Sequence, residues 1–460
     1  MQNRSVRLGE EKISKLLWEF SIPAIVAMLV NAIYNVVDRI FIGNGVGSLG
    51  IAGVTIGFPV MLLIMAFGML VGIGATSLIS IKLGEDKKEE AELIMGNGML
   101  LLILLSILIS VFGLIFLEPL LRLFGASEAV LPYAKDYMQI ILSGTVFMSV
   151  GFGMSNFIRA EGDPKTAMNV MLIGAILNII LNPIFIYGFG WGIKGAAWAT
   201  VLARTVSAFW VVYYFLSGKS SLSIRLANFK LNMPIVGKIA AIGAAPFAMQ
   251  LSNSLLQVVM NNSLQFYGGD IAIAGMGVIM SIMTLMLMPV IGITQGAQPI
   301  IGFNYGAKKY HRVKATLKNA ILIATMIATL GFLIIRLYPE QFIALFNKED
   351  EALIAFGTHA LNIFLIFLPI IGFQIVGAQY FQAVGKAKQA MVLSLARQVL
   401  FLIPLLLILP RFFELNGVLY AGPAADLLSS LVTAVWLFVE VRSLNEKQKV
   451  TNEQPQLDPQ

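Results

Sequence analysis

The second half of the sequence repeats the first. Residues 31–88 align with residues 253–310 without a gap at a constant offset of 222, and 14 of these 58 pairs are identical. In so apolar a composition, chance gives roughly one match in twelve, about five in all, so the similarity indicates a duplicated structural unit. The identical pairs include Asn31/Asn253, Ala52/Ala274, Gly53/Gly275, Gly74/Gly296 and Ala75/Ala297. The chain is therefore restricted to folds with two equivalent halves.

The composition shows that this duplicated chain is surrounded by lipid and not by water. Apolar residues make up 58% of the 460 positions and charged residues 12%, with a mean hydropathy of +0.82. A soluble protein of this length could not keep so much apolar surface out of water, so hydrocarbon must be its solvent. A duplicated and strongly apolar chain points to a two-lobed membrane transporter in a lipid bilayer. The absence of cysteine excludes disulfides and thiolate metal sites.

Twelve apolar stretches are long enough to cross about 30 Å of hydrocarbon. We therefore predict an all-α polytopic protein in which the repeat places six spans in each half, related by a pseudo-twofold axis along the membrane normal. The predicted lobes are residues 1–217 and 235–443, joined by a cytoplasmic linker at 218–234 and followed by a disordered tail at 444–460. The predicted spans are 16–42, 52–82, 92–117, 131–158, 166–188, 195–217, 235–266, 271–303, 313–337, 352–382, 389–410 and 416–441.

The distribution of basic residues predicts the orientation. With the N-terminus inside, the inner segments hold 23 Lys and Arg residues and the outer loops hold six, which places both termini in the cytoplasm. The net charge of +7 is spread over many short segments, which fits membrane orientation better than a nucleic-acid partner. The basic N-terminus resembles a signal peptide, but the apolar run reaches about Ile42 and contains Asp38, so we interpret it as a retained first span.

Polar residues within the spans locate a candidate site. Asp38, Asn182 and Thr200 are predicted to share one layer of the outer leaflet, with Asn178 one helical turn deeper. A carboxylate, two amide oxygens and a hydroxyl are hard donors that suit a proton or a small hard cation. A polar cluster that only packs helices is the alternative, but an intramembrane carboxylate is functional by default. At the position of Asp38, the second half has Met260.

The other charges within the spans have a structural interpretation. Arg204 and Asp426 are repeat equivalents of opposite sign. Arg397 and Asp426 lie at similar depths in neighbouring spans, and we predict that they form a structural ion pair. Arg204 could instead meet the substrate or a partner in the other lobe.

Methionine and aromatic side chains suggest an adaptable apolar cavity, although packing or lipid-facing methionine is the alternative. The expected substrate-cavity residues are Tyr34, Asn35, Phe58, Met61, Met65, Asn253, Gln257, Met280 and Met283. The candidate helix kinks, where such helices commonly rearrange, are Pro23, Pro183 and Pro299.

Several of these features together resemble the multidrug and toxic compound extrusion (MATE) transporters. They are Pro23 ahead of Asp38, the repeat, the sequence Ala160-Glu161-Gly162-Asp163-Pro164 after span four, and Asn178-x3-Asn182-Pro183. The resemblance implies a V-shaped pair of six-helix bundles that exports organic cations and drugs, driven by inward H⁺ or Na⁺ as the coupling ion. It implies no cofactor and no enzyme activity, and we expect a monomer in a prokaryotic plasma membrane.

Within that family the chain is most similar to the DinF-like prokaryotic branch, which includes the MepA-type proteins. The coupling site of that branch matches Asp38, Asn178, Asn182 and Thr200, and Na⁺ at Asp38 is the one metal ion that the resemblance allows. Members of the branch usually have Asp-Pro where this chain has Asn182-Pro183, so a two-carboxylate proton mechanism is not implied.

Three other functions compete with ion-coupled export of amphipathic or cationic small molecules. A flippase or exporter of lipid-linked or peptide-like products would keep the fold but would be favoured by a large basic cavity. An intramembrane enzyme would need an Asp-rich metal motif or a catalytic dyad, and the sequence has neither. A channel would not explain two unequal lobes around one carboxylate.

Overall fold

The computed structural model describes residues 4–124, 126, 128–344 and 351–453, and these residues contain helices and no strands. The α-helices of the first half are α1 (Arg4–Glu10), α2 (Ile13–Val46), α3 (Ser48–Gly84), α4 (Lys88–Ile115), α5 (Leu117–Leu123), α6 (Leu131–Ser143), α7 (Thr145–Ala160), α8 (Pro164–Pro183) and α9 (Gly192–Leu216). Those of the second half are α10 (Met233–Gly306), α11 (Tyr310–Leu337), α12 (Pro339–Ala344), α13 (Glu351–Phe364), α14 (Leu368–Ala383), α15 (Ala387–Leu395), α16 (Ile403–Ile408) and α17 (Pro410–Glu453). Two π-helical turns, Ile184–Gly188 and Ala396–Leu402, interrupt the spans.

The predicted all-α class with up to twelve spans is confirmed. Among the described residues, ten helices are long and apolar enough to cross a membrane, and two bent pairs raise the number to twelve if each pair is one span. α10 contains two of the predicted spans, which are separated at Gly269, whose backbone is left-handed (φ 65°). Large apolar side chains such as Phe438 remain exposed, 74% in that case, as expected where lipid replaces water.

The bends divide two stretches that the sequence predicts as single spans. α6 and α7 meet at 55°, and the helices 354–364 and α14 meet at 53°. At the first bend Gly144 separates the two helices, and the Ser110 hydroxyl donates to the carbonyl of Leu142 (2.8 Å). This side-chain donor replaces a backbone hydrogen bond that the bend removes, so the break carries little cost in hydrocarbon.

The chain packs into two compact units whose membership does not follow the midpoint of the sequence. The first unit contains residues 26–250 and the second contains residues 9–25 and 251–460, with residues 1–8 in the first. The N-terminal part of α2 (residues 13–25), here called its front segment, therefore belongs to the second unit. The N-terminal part of α10 (residues 233–250), likewise called its front segment, belongs to the first. Each unit is completed by a helical segment from the other half of the sequence.

Two glycines of the repeat explain how these segments pack. In the first unit, a Cβ on Gly74 would lie 2.2 Å from the carbonyl oxygen of Ile239, on the front segment of α10. In the second unit, a Cβ on Gly296 would lie 2.6 Å from the hydroxyl and 2.7 Å from the backbone nitrogen of Ser21, on the front segment of α2. Because Gly74 and Gly296 are repeat equivalents, both halves use the same residue to admit a close backbone.

The C-terminal helix is longer than the sequence suggests. α17 continues to Glu453, whereas a disordered tail is expected from residue 444; residues 454–460 lie outside the described part. Contacts to the second unit explain the extension, because Lys447 donates to the Tyr305 hydroxyl (3.2 Å) and Lys314 donates to Asn445 (2.6 Å). The sequence Asn-Glu-Lys-Gln-Lys after Leu444 is polar, yet most of its residue types favour helix.

Candidate functional site

The candidate site is built on α8, which presents two amides on one face. The Asp163 carboxylate caps the helix by accepting from the Thr166 backbone N–H (3.1 Å). Asn178 and Asn182 are four residues apart, so their side chains are neighbours on the helix surface. The Asn182 Nδ2 atom donates to the Asn178 Oδ1 atom at 2.8 Å.

This amide pair links side chains from two other helices. Asn182 Nδ2 also donates to Asp38 Oδ1 on α2 (2.8 Å), and Asn178 Nδ2 donates to the Thr200 hydroxyl on α9 (3.1 Å). All four side chains are buried, with exposed fractions of 7% for Asp38, 2% for Asn178, 0% for Asn182 and 2% for Thr200. The structure thus brings the four predicted residues into one hydrogen-bonded chain inside the first unit, which we call the Asp38 network.

The direction of the hydrogen bonds in the Asp38 network follows from the donors and acceptors of its side chains. Asn182 Nδ2 has two hydrogens, and both are used, one on the Asp38 carboxylate and one on Asn178. The reversed Asn182 amide would place its oxygen against a carboxylate oxygen, which is repulsive. The Asn182 Oδ1 atom is buried and accepts no hydrogen bond from the described residues. A change of charge at Asp38 would therefore act directly on the Asn182 amide.

A π-helical turn follows the site directly. Pro183 has no N–H to donate, which leaves an acceptor free in the preceding turn, and residues 184–188 adopt wider π geometry. The Phe189 N–H donates to the carbonyl of Ile184 (2.9 Å). The Tyr187 hydroxyl reaches α2 and donates to the carbonyl of Phe41 (3.0 Å), three residues after Asp38. Single π turns in α-helices frequently mark functional sites.

An arginine lies one turn from the Asp38 network on the same helices. Arg204 follows Thr200 by four residues on α9, and Tyr34 precedes Asp38 by four residues on α2. The Arg204 guanidinium carbon lies 5.4 Å from the centroid of the Tyr34 ring, a cation–π distance. Tyr34 is 7% exposed and Arg204 is half-buried, so a positive charge lies one helical turn along α9 from Thr200 and over a ring one turn along α2 from Asp38.

The equivalent part of the second unit has a different character. Met260, the repeat equivalent of Asp38, is 2% exposed and packs in the apolar core with Leu264 and Met276. The predicted ion pair between Arg397 and Asp426 is confirmed. Arg397 is a residue of the π-helical turn Ala396–Leu402. The second unit therefore has an ion pair at its own π turn.

The expected substrate-cavity residues lie in several environments. Phe58 and Met65 are exposed, and Met61 packs against the core of the first unit. Met283 is buried in the core of the second unit and Met280 packs against it. Asn253 accepts from Gln398 (2.6 Å), and Gln257 donates to Asn261 (3.0 Å). The side chain of Asn35 lies outside the described part of the chain, as does that of Arg39.

The helix geometry at the three predicted kink positions, Pro23, Pro183 and Pro299, is not the same. α2 continues through Pro23, and α10 remains helical through Pro299. Pro183 is the last residue of α8 and precedes the π turn. Tyr187 is not among the site residues expected from the sequence, although its aromatic hydroxyl shortly after the intramembrane Pro183 is a signal that the sequence contains.

Comparisons with known proteins agree with this architecture. The MatE family model matches residues 23–184 and 246–408, one match in each half of the repeat. The multidrug export protein MepA of Staphylococcus aureus strain MRSA252 is 26% identical over 427 residues, covering 93% of this chain and 94% of that protein. The MepA protein of Staphylococcus haemolyticus strain JCSC1435 is 27% identical over 434 residues, with coverages of 94% and 95%.

Solved structures give the same result. A MATE protein in the bent conformation superposes with a TM-score of 0.91 at 26% identity, covering 97% of this chain and 99% of that one. A MOP superfamily transporter from Pyrococcus furiosus Vc1, described as having a binding pocket of reverse polarity, gives 0.90 at 27% identity with the same coverages. The predicted resemblance is confirmed: with both halves matched and the fold shared end to end, the chain belongs to the MatE family of membrane transporters.

Proposed function

We propose that this protein is a secondary active antiporter that exports amphipathic, often cationic, small molecules by alternating access, driven by inward H⁺ or Na⁺. The observation that carries the proposal is the Asp38 carboxylate, buried within the first unit and hydrogen-bonded through Asn182 and Asn178 to Thr200. The similarity to proteins named multidrug export proteins supports the choice of cargo.

The Asp38 network suggests how ion binding would be transmitted. While Asp38 is charged, its oxygen holds the Asn182 amide, and that amide holds Asn178. A proton or Na⁺ at Asp38 neutralises the carboxylate and weakens the charge-assisted hydrogen bond from Asn182, a class of bond about twice as strong as a neutral one. Asn182 Nδ2 lies between Asp38 Oδ1 and Asn178 Oδ1, so a cation would enter between those oxygens by turning the amide. Either event would loosen the contact between α8 and α2 next to the π turn.

A second cargo is favoured by one observation. The Arg204 guanidinium over the Tyr34 ring would suit a cargo with an anionic group, because guanidinium donors match the geometry of carboxylates and phosphates. A lipid-linked or peptide-like natural product would fit this arrangement on the same fold. The relative with a binding pocket of reverse polarity is consistent with variation of cargo charge within this architecture.

Transport by the purified protein in liposomes, with H⁺ and Na⁺ gradients imposed separately, tests the proposal. We expect accumulation of a fluorescent organic cation against its gradient when one of the two ion gradients is present, and no accumulation without either. A parallel assay with an anionic amphiphile separates the two cargo classes. Equal downhill movement of cargo with and without both gradients would contradict ion-coupled export.

The orientation is proposed from the basic-residue bias and has its own test. Since the chain has no native cysteine, single cysteines can be placed at the exposed positions Lys219 and Lys308 and at Asn44 and Gly188. An impermeant thiol reagent added to intact cells should label Asn44→Cys and Gly188→Cys, and should spare Lys219→Cys and Lys308→Cys until the cells are opened. Labelling of Lys219→Cys or Lys308→Cys from outside would reverse the assignment.

A further inference from the structure

A second buried carboxylate lies at the other end of α8. Glu161 follows α7 and is 0% exposed. The next residue, Gly162, has φ 103°, a left-handed conformation that turns the chain into α8 and that only glycine adopts readily. Asp163 then caps α8. This tight turn leaves the Glu161 side chain directed towards the end of α9 and the residues that follow it.

Five donors converge on the Glu161 carboxylate, and all five are neutral. The Tyr214 hydroxyl on α9 donates to one oxygen. The other oxygen accepts from the hydroxyls of Ser220 (2.5 Å) and Ser221 (2.9 Å) and from the backbone N–H groups of Ser221 (3.0 Å) and Leu222 (3.3 Å). Burial raises the pKa of the Glu161 carboxyl, and these hydrogen bonds oppose the rise. The donors therefore offset part of the cost of removing the carboxylate from water.

The segment that supplies these donors connects α9 to α10 and continues along the first unit. Glu92 on α4, 1% exposed, accepts from the Ser223 backbone N–H (3.1 Å) and pairs with Arg225 (2.9 Å). Further along, Asn97 accepts from the Asn232 backbone N–H (2.7 Å). Residues 220–232, here called the connecting segment, are thus fixed at three places to buried side chains of the first unit.

The second unit compensates a buried carboxylate near the corresponding turn with different partners. Gly385, with φ 75°, is the counterpart of Gly162 at an offset of 223. There the carboxylate is Glu440 on α17, which pairs with Lys386 and accepts from the Tyr380 hydroxyl (3.1 Å). Lys386 occupies the position of Asp163 in the first unit. The second unit therefore neutralises its carboxylate with its own lysine, whereas the first unit uses hydroxyl and backbone donors from the connecting segment.

We infer that Glu161 is a positioning residue that clasps the connecting segment to the first unit, and that transport depends on this clasp. The inference rests on the proposed transport function. A segment whose Ser220, Ser221 and Leu222 supply four donors to one buried carboxylate moves with the first unit instead of acting as a flexible tether. Loss of the clasp leaves the Asp38 network intact and lowers the turnover of transport by about tenfold, within the range of typical coupling effects.

Limited trypsin digestion measures the clasp, because the linker region contains Lys219, Arg225 and Lys230, all exposed. In wild-type protein in detergent, cleavage at Lys219 and Arg225 should be slow. Glu161→Gln, which weakens every charge-assisted bond, and the double variant Ser220→Ala/Ser221→Ala, which removes two donors but leaves Glu161 in place, should both accelerate cleavage at least about fivefold. Glu118→Gln, a change at an exposed carboxylate that pairs with Lys135, is the matched control and should leave the rate unchanged.

The same variants are then assayed for transport. Faster cleavage with turnover reduced about tenfold and an unchanged substrate KM supports the inference. Unchanged cleavage in both clasp variants, or faster cleavage with wild-type turnover, overturns it. Asp38→Asn separates this result from the proposed function: it should stop uphill transport while keeping the connecting segment resistant to trypsin.

Discussion

Replacing Asp38 by asparagine should abolish ion-driven export while leaving the protein folded and inserted. The asparagine keeps an oxygen where Asp38 Oδ1 accepts from Asn182 at 2.8 Å, so the links to Asn178 and Thr200 can persist. What disappears is the titratable, cation-binding charge. Uphill accumulation in liposomes should fall to the level of protein-free vesicles, with substrate binding to the detergent-solubilised protein retained.

A matched control separates loss of this carboxylate from a general loss of charge. Asp136 lies on α6 of the same unit and pairs at the surface with Lys194 (3.4 Å). An Asp136→Asn variant makes the same chemical change away from the Asp38 network and should transport normally. Uphill export by Asp38→Asn at the wild-type rate would show that the coupling charge lies elsewhere.

Substituting alanine for Gly74 should strongly destabilise the first unit, although the change adds only one methyl group. The added Cβ would lie 2.2 Å from the carbonyl oxygen of Ile239, and a backbone atom cannot move aside as a flexible side chain does. Forcing the helices apart should cost about 3 kcal/mol. We expect a lower thermal unfolding temperature in detergent and a smaller folded fraction by size-exclusion chromatography.

The second unit provides a parallel test, and an open glycine provides the control. Gly296→Ala should be destabilising for the same reason, because its Cβ would crowd Ser21. Gly277 on α10 has no atom within 4 Å of the position of a Cβ, so Gly277→Ala should be neutral or stabilising by up to about 1 kcal/mol through helix propensity. Equal unfolding temperatures for Gly74→Ala and Gly277→Ala would refute the close-packing explanation.

The spans were predictable because hydrocarbon demands long apolar helices, and these dominate the sequence pattern. The site was predictable to a similar degree. Depth along a span follows from residue count, so Asp38 and Asn182 were expected in one layer, and they are hydrogen-bonded to each other. Thr200 was expected in the same layer, but it accepts from Asn178, which was expected one helical turn deeper. Their roles in ion coupling stay a prediction.

The bends and side-chain partners could not be derived, because they depend on contacts between helices. A glycine such as Gly144 within an apolar run is compatible with a straight helix, and only the packing around it selects the bend. Similarly, residue count gives the depth of Arg204 but not the direction of its side chain, so its position over Tyr34 could not be anticipated. The helical course of residues 445–453 depends on partners more than a hundred residues away, such as Tyr305.

The exchange of the front segments of α2 and α10 bears on how such a protein can be divided. The first copy of the sequence repeat ends before the connecting segment. The first unit nevertheless extends to residue 250, and the second unit includes residues 9–25. A gene split at the connecting segment would therefore express two fragments, each lacking a helix that its partner carries. Neither fragment should be protease-resistant alone, whereas the two expressed together should complement each other. A single ancestral copy that already exchanged this segment would have needed a second copy of itself to complete its fold.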